Sequence, residues 1–190
     1  MIFFMKSSKP DVPQADAAQA NTAHNHASSE DHKKCAARIL HTNLPAVLLQ
    51  DTDKNSFSTV EISEKQVVIV IRYLGYGCSH CIEQLLTLQQ STQMLDSAKV
   101  RVVAFSDDTP EQNAVVMGKY KFDPRVFTFA FDPAKSMGRS IGAVYTEEDG
   151  SKTELHVAMI VRKGRVEFAH FDTKPMADVQ ALIRLAAVPM

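Results

Sequence analysis

Cys78 and Cys81, separated by Ser79 and His80, are the residues of this chain best suited to do chemistry. Two thiols at this spacing can close a small redox disulfide or hold a soft metal ion. Just before them, Val67-Val68-Ile69-Val70-Ile71 reads as an all-apolar strand, followed by a loop at Gly75-Tyr76-Gly77. After them, Cys81, Leu85, Leu88, Thr92 and Leu95 recur with the period of a helix that buries one face. The pair therefore belongs at a helix start, where unpaired N–H groups and the helix dipole favour a thiolate. That context points to redox chemistry. Cys78, at the exposed start, is expected to attack, and Cys81, one turn further in, to resolve the mixed disulfide or sulfenic acid. A protonated His80 is expected to stabilise the Cys78 thiolate and lower its pKa below the ~8.5 of a free cysteine. Tyr76 is expected to cover the disulfide, and Gly75 and Gly77 to permit unusual backbone angles.

The strands and helices that must hold this loop follow from hydrophobic patterning. Ala46-Val47-Leu48-Leu49 and Phe57-Ser58-Thr59-Val60 flank the turn-rich Asp51-Thr52-Asp53-Lys54-Asn55, which predicts an N-terminal β-hairpin. Residues 67–73 form a strand buried on both faces, residues 78–95 a helix, and Val100-Arg101-Val102-Val103-Ala104-Phe105 the next buried strand. Thr109-Pro110-Glu111 carries helix-start residues, with the helix running to about Lys121. Phe127, Phe129 and Phe131 alternate in a strand closed by Asp132-Pro133, and a short helix follows over residues 134–141. Residues 157–161 and 166–169 straddle Lys163-Gly164 as an antiparallel hairpin. A last helix beginning near Pro175 presents Val179, Leu182, Ile183 and Ala186 on one face. Strands alternating with helices, plus a late hairpin, predict an α/β architecture with one central mixed β-sheet flanked by helices. The cysteines then lie just past the C-terminal end of a central strand, where open α/β sheets place their sites.

Composition sets the bounds. A 45% hydrophobic chain of 190 residues can build a core without a disulfide framework. Basic and acidic residues balance at 21 and 22, which argues against a nucleic-acid footprint. No apolar run approaches the ~20 residues of a membrane span. Residues 1–42 read as a flexible, largely disordered tail, and residues 43–190 as the folded domain. The tail contains His24, His26, His32 and Cys35, a weak metal-capturing set at most, since the spacing matches no structural zinc pattern. Cys35 is left as an unpaired thiol, and residues 35–40 as a short helix or strand leading into the domain. His41 and His170 read as ordinary surface or strand histidines. Residues 1–5 are apolar, but shorter than the ~7–15 residues of a secretory core and without a charged segment before them. A cytoplasmic location is expected, with a periplasmic or secreted one as the alternative for a chain truncated at its N-terminus.

With these elements in order, the chain resembles the thioredoxin-like fold, and more narrowly the redoxins of the alkyl-hydroperoxide-reductase and thiol-specific-antioxidant (peroxiredoxin-like) type. Gly75-Tyr76-Gly77-Cys78-Ser79-His80-Cys81 is similar to the loop of a CxxC subgroup of that family. Phe105-Ser106-Asp107-Asp108-Thr109-Pro110-Glu111, Phe131-Asp132-Pro133 and Met159-Ile160-Val161 with Lys163-Gly164 resemble its later segments. The resemblance implies a thiol-disulfide oxidoreductase cycling Cys78 and Cys81, with no bound cofactor. Its substrate would be a protein or small-molecule disulfide or a peroxide, and a further thiol or disulfide protein would be its redox partner. Two alternatives stand beside it. One is a thiol peroxidase using the same pair. The family's peroxidases usually carry Pro and Thr seven and three residues before the reactive cysteine, where this chain has Ile71 and Gly75. They also carry an Arg near a later strand, where spacing puts His156, so Arg72 or Arg139 would have to substitute. Thioredoxins place a cis-proline at the position that aligns with His156. The other alternative is a copper-binding metallochaperone using Cys78, Cys81 and His156, because two thiolates and an imidazole suit Cu or Zn. The Cys-x-His-Cys sequence also resembles strongly oxidising disulfide-forming proteins, with Ser79 where those have proline, which implies a couple more oxidising than that of thioredoxin.

Overall fold

Six consecutive buried residues, Val67–Arg72, form the strand from which the cysteine loop departs. In the computed structural model, which describes residues 29–188, this strand lies inside a seven-stranded sheet. The elements in chain order are α1 (Ser29–Ile39), β1 (Leu48–Gln50), β2 (Ser56–Ser58), α2 (Thr59–Lys65), β3 (Val67–Arg72), α3 (Ser79–Gln89), α4 (Thr92–Ser97) and β4 (Val100–Ser106). They continue as α5 (Pro110–Tyr120), β5 (Phe127–Phe131), α6 (Ser136–Ser140), β6 (Val144–Thr146), β7 (Lys152–Glu154), β8 (His156–Arg162), β9 (Arg165–Asp172) and α7 (Val179–Ala187).

The sheet order is β2-β1-β5-β4-β3-β8-β9. β3, β4 and β5 run parallel, and β1 and β8 join them antiparallel, so the sheet is mixed as patterning predicted. Strand alternation sorts β3 between two cores. Ile69 and Ile71 pack with Cys81, Leu85 and Leu88 of α3, Val116 of α5 and Leu182 and Ile183 of α7. Val68 and Val70 pack on the opposite face with Ile39 of α1 and Met137 of α6. The sheet thus separates the cysteine face from an α1/α6 face. Among the described residues, no helix is long and apolar enough to cross a membrane.

Four local expectations are corrected. First, the expected flexible tail does not extend to residue 42, because residues 29–42 are built into the fold. His32, Cys35, Ala36 and Ile39 make one stripe of α1, with His32 and Ile39 buried. The chain after α1 then pairs with β9: Val166 donates to the Thr42 carbonyl at 2.9 Å, and His41 and Leu44 donate to the carbonyls of Val166 and Gly164, both at 2.8 Å. β9 is the last strand of the sheet, and its free backbone groups call for such a cover. His32 is accordingly a packing residue of α1, not part of a metal-capturing tail. Residues 1–28, which include the apolar residues 1–5, His24 and His26, lie outside the described residues.

Second, residues 59–65 are helical, because the Ser58 side chain accepts the Val60 N–H and caps α2. Third, the helix expected over residues 78–95 breaks into α3 and α4, where the Thr92 hydroxyl donates to the Gln89 carbonyl at 2.6 Å. Fourth, β6 and β7 form a separate small hairpin that patterning missed.

Candidate active site

The peptide chain leaves β3 and crosses Tyr73 to Gly77, and Cys78 then caps α3. Cys78 has extended backbone angles (φ −85°, ψ 96°), and its Sγ accepts the Cys81 N–H at 3.3 Å. It therefore occupies the N-cap position, where side-chain acceptors satisfy the first helical amides. Cys78 and Cys81 are joined as a disulfide with their Cα atoms 5.3 Å apart. Their exposures differ: Cys78 is half-buried, whereas Cys81 is fully buried in the α3 core.

His156 opens β8, beside β3. Its Nε2 lies 3.1 Å from Cys81 Sγ and 3.8 Å from Cys78 Sγ, and the residue is 5% exposed. Burial, together with the nearby charge of Arg72, pushes its pKa down to about 4 against the opposing pull of the Thr173 and Asp172 backbone. The ring is thus neutral at ordinary pH. Nδ1 is buried with no hydrogen-bond partner among the described residues. Nε2 is the ring nitrogen that faces the two sulfurs. No cis peptide bond occurs among the described residues.

His80 and Tyr76 take different positions. The His80 side chain is 80% exposed, and its Nδ1 lies 3.2 Å from Glu83 Oε2 on the outer side of α3. Tyr76 is 59% exposed, and its contribution to the loop is its backbone. The Tyr76 N–H donates to Asp108 Oδ2 at 2.6 Å. Gly75, at φ +97°, would bring an added Cβ to 3.0 Å from Asp108 Oδ1, so the position suits glycine. Burial raises the pKa of Asp108, with the Tyr76 N–H and Ser106 pulling it back. Behind this anchor, the Tyr73 hydroxyl donates to Asn113 Oδ1, and Asn113 Nδ2 donates to the Asp108 carbonyl at 3.3 Å. Asp108 was legible in the sequence only as part of the Ser106-Asp107-Asp108 run that the family resemblance includes, and its role in holding the loop needed the fold.

Neither arginine offered as an oxyanion partner reaches the disulfide face. Arg72 is buried, donates to the Leu155 carbonyl at 2.7 Å and pairs with Glu154 at 2.6 Å. Its side chain packs under Gly138 of α6, on the other side of the sheet. Arg139 belongs to α6 itself and donates to the Ala134 carbonyl. The expectation that one of them could substitute is therefore corrected: strand alternation turns Arg72 away from the cysteines. Beside the disulfide, His80, Glu83 and Gln84 of α3 and Lys174, Pro175 and Met176 line an open groove of about 470 Å³. This feature had no signature in the sequence.

A disulfide at the N-terminus of a helix that follows a central strand defines a thioredoxin-like redox protein. The Redoxin family model matches residues 40–183, and the chain belongs to the Redoxin family. It is a thiol-dependent oxidoreductase. No curated protein matches the sequence. Among solved structures, the chain is similar to peroxidoxin BcpB from Mycobacterium tuberculosis at 12% identity, over 77% of this chain and 96% of that one, with a TM-score of 0.65. A mutant of Xylella fastidiosa PrxQ aligns at 10% identity over 77% and 93%, with a TM-score of 0.66. Reduced Prx3 from Vibrio vulnificus, in complex with hydrogen peroxide, aligns at 16% identity over 75% and 97%, with a TM-score of 0.64. At these identities the likeness is one of fold.

Proposed function

We propose that the chain exchanges disulfides through Cys78 and Cys81, with Cys78 attacking, Cys81 resolving and His156 taking the proton that resolution releases. The observation that supports this most is the asymmetry of the pair. Cys78 is half-exposed at the helix cap, while Cys81 is fully buried with the neutral His156 Nε2 3.1 Å from its sulfur. In the reduced protein, the helix N-terminus and the Cys81 N–H stabilise a Cys78 thiolate. That thiolate attacks one sulfur of a substrate disulfide. The substrate S–S bond breaks, a substrate thiolate leaves, and a mixed disulfide forms on Cys78. Cys81 then gives its proton to His156 Nε2 and attacks Cys78 Sγ. The mixed disulfide breaks, and the second substrate thiolate takes the proton as it leaves. The products are a reduced substrate and oxidised Cys78–Cys81, and an external dithiol returns the pair to its reduced state. His80 stands exposed beside Glu83 on the outer side of α3, so His156, which faces the sulfurs, carries the proton. Tyr76 contributes loop position through its amide.

Trapping tests the division of labour. In a Cys35→Ser background, which removes the remaining thiol, Cys81→Ser is expected to accumulate mixed disulfides on Cys78, visible on non-reducing gels. Cys78→Ser is expected to form none. Normal multiple turnover by Cys81→Ser would overturn the resolving role.

Peroxide reduction is the second reading, favoured by fold likeness to proteins such as Vibrio vulnificus Prx3, solved with hydrogen peroxide. Against it, Gly75 and His156 stand where such enzymes carry Thr and Arg, and Arg72 and Arg139 lie across the sheet. Rapid mixing of reduced protein with hydrogen peroxide separates the two readings. Oxidation of Cys78 no faster than that of free cysteine removes the peroxidase.

A further inference from the structure

We propose that the reduced site binds one Cu(I) ion in three-coordinate form, through Cys78 Sγ, Cys81 Sγ and His156 Nε2. This goes beyond disulfide exchange, although it uses the same residues in their reduced state. The three donor atoms lie within 4.8 Å of one another. Metal–ligand bonds of roughly 2.0–2.3 Å can close a group of that size. They come from two elements that the sheet holds in register. Cys78 and Cys81 open α3 at the end of β3, and His156 opens β8, which pairs with β3 through Arg72 opposite Val157.

Donor chemistry selects the ion. Thiolates are soft and imidazole is intermediate, a set that suits Cu(I) or Zn(II) rather than magnesium or calcium. Ligand count then separates those two. Among the described residues, no fourth histidine, cysteine or carboxylate joins the group. The nearby carboxylates are engaged elsewhere: Glu83 faces His80 on the solvent side of α3, and Asp172 accepts from the Thr173 hydroxyl and the Lys174 amide. Structural Zn(II) almost always takes four ligands. Cu(I), with the same closed d-shell but one charge fewer, is stable with three. Two thiolates and one Cu(I) leave a single net negative charge, placed at the positive end of the eleven-residue α3, where the Cys81 N–H already meets Cys78 Sγ.

The surroundings complete the case. The Nε2 atom of His156 faces the sulfurs, 3.1 Å from Cys81 Sγ and 3.8 Å from Cys78 Sγ. Cys81 and His156 are shielded from water, while Cys78 is open enough to admit an ion from a small carrier. Because the disulfide removes both sulfur donors, metal binding and oxidation exclude each other. The redox state of the pair would therefore gate binding.

The test is competition for Cu(I) between the full-length protein and the coloured chelator bathocuproine disulfonate, in oxygen-free buffer. Reduced protein is expected to withdraw one Cu(I) per chain. The oxidised protein, which keeps every other histidine and Cys35, is expected to withdraw none. His156→Ala should weaken binding roughly tenfold or more, and Cys35→Ser should leave it unchanged. Far-UV circular dichroism establishes that the variants are folded, and His156→Asn is a second probe if alanine unfolds the chain. Equal binding by oxidised and reduced protein, or by His156→Ala and parent, overturns the proposal. So does capture of Zn(II) with no capture of Cu(I). Disulfide reduction measured in metal-free buffer reads the proposed enzyme activity separately, so either idea can fail alone.

Discussion

Replacing Gly75 with threonine would rebuild the residue that peroxiredoxin-type enzymes carry three positions before the reactive cysteine. The structure predicts a loss of stability and no gain in peroxide reactivity. At φ +97° a β-branched residue is strained by on the order of 1–3 kcal/mol. Its Cβ would also stand 3.0 Å from Asp108 Oδ1 and 3.4 Å from Oδ2. The carboxylate is not free to retreat, since Oδ2 holds the Tyr76 N–H at 2.6 Å and the Asp108 N–H is tied to Ser106 Oγ at 3.1 Å. Losing the charge-assisted bond to Tyr76 costs roughly 1–2 kcal/mol. Restricting the unfolded chain by removing glycine returns roughly 0.4–1 kcal/mol. The net cost is about 1–4.5 kcal/mol, or roughly 2–18 °C in melting temperature for a chain of this size. The chain has no tryptophan, so urea and thermal unfolding of the oxidised protein are best followed by far-UV circular dichroism. In an Asp108→Ala background, Gly75→Thr should cost about 1–2 kcal/mol less, because the colliding carboxylate is gone. A Gly75→Thr protein that melts within about 1 °C of its parent, or a double variant with no coupling, refutes this account of the loop.

Two further outcomes follow from the buried charges. In the oxidised protein His156 has a pKa near 4 against an ordinary 6.5, so the unfolded chain takes up its proton first as pH falls. The neutral ring costs nothing above pH 6.5. Between there and pH 4 the fold should lose about 3 kcal/mol that His156→Gln does not lose, measured as urea stability against pH. Parallel profiles for the two proteins would contradict the buried neutral imidazole. Glu154→Gln should destabilise by roughly 3–5 kcal/mol, because it removes the charge partner of a guanidinium whose side chain is 2% exposed. Burial raises the Glu154 pKa, but hydrogen bonds from Lys135 and Arg72 more than offset it and hold the group below its usual 4.5. The contribution of this carboxylate is therefore present above pH 4.5 and lost as pH falls through its lowered value, and a loss under 1 kcal/mol for Glu154→Gln would contradict the pairing.

Legibility in the sequence tracked how local each signal was. β3, β4, β5 and the β8–β9 hairpin are dense in apolar residues, and their positions followed directly from pattern. The cap at Thr109 and Pro110 marked α5 for the same reason, with a capping box completed by Gln112. Only the end of α1, over residues 35–40, was legible as a short element, because its buried stripe begins with His32 and Cys35 and contains a single large aliphatic residue, Ile39. Packing of that stripe on the sheet face beside Val68 and Val70 holds so polar a helix in place. Arg72 posed the opposite problem. Its proximity to the cysteines in sequence suggested the site, but one step of strand alternation puts it across the sheet. The sequence pointed to His156 only through the family resemblance; in the fold it meets the cysteines because the strand it opens pairs with the strand that feeds their loop.

The exchange of arginine for His156 bears on which reaction the site favours. A guanidinium beside the sulfurs would remain positive at any working pH and would hold an oxyanion. The imidazole there is driven neutral, first by burial and then by the charge of Arg72 on the neighbouring strand. Arg72 exerts only its field, because Leu155 and Glu154 occupy its donors on the far face. A neutral imidazole attracts no anion, but it can accept a proton where the thiolate formed beside it supplies a counter-charge that the disulfide lacks, and the closer sulfur is that of Cys81 rather than Cys78. In the proposed cycle, Cys78 ionises with help from the helix terminus, whereas Cys81 is sealed from water and must pass its proton to a neighbour before it can attack. The base is therefore placed at the step that solvent cannot assist. That arrangement serves resolution of a mixed disulfide better than capture of a peroxide.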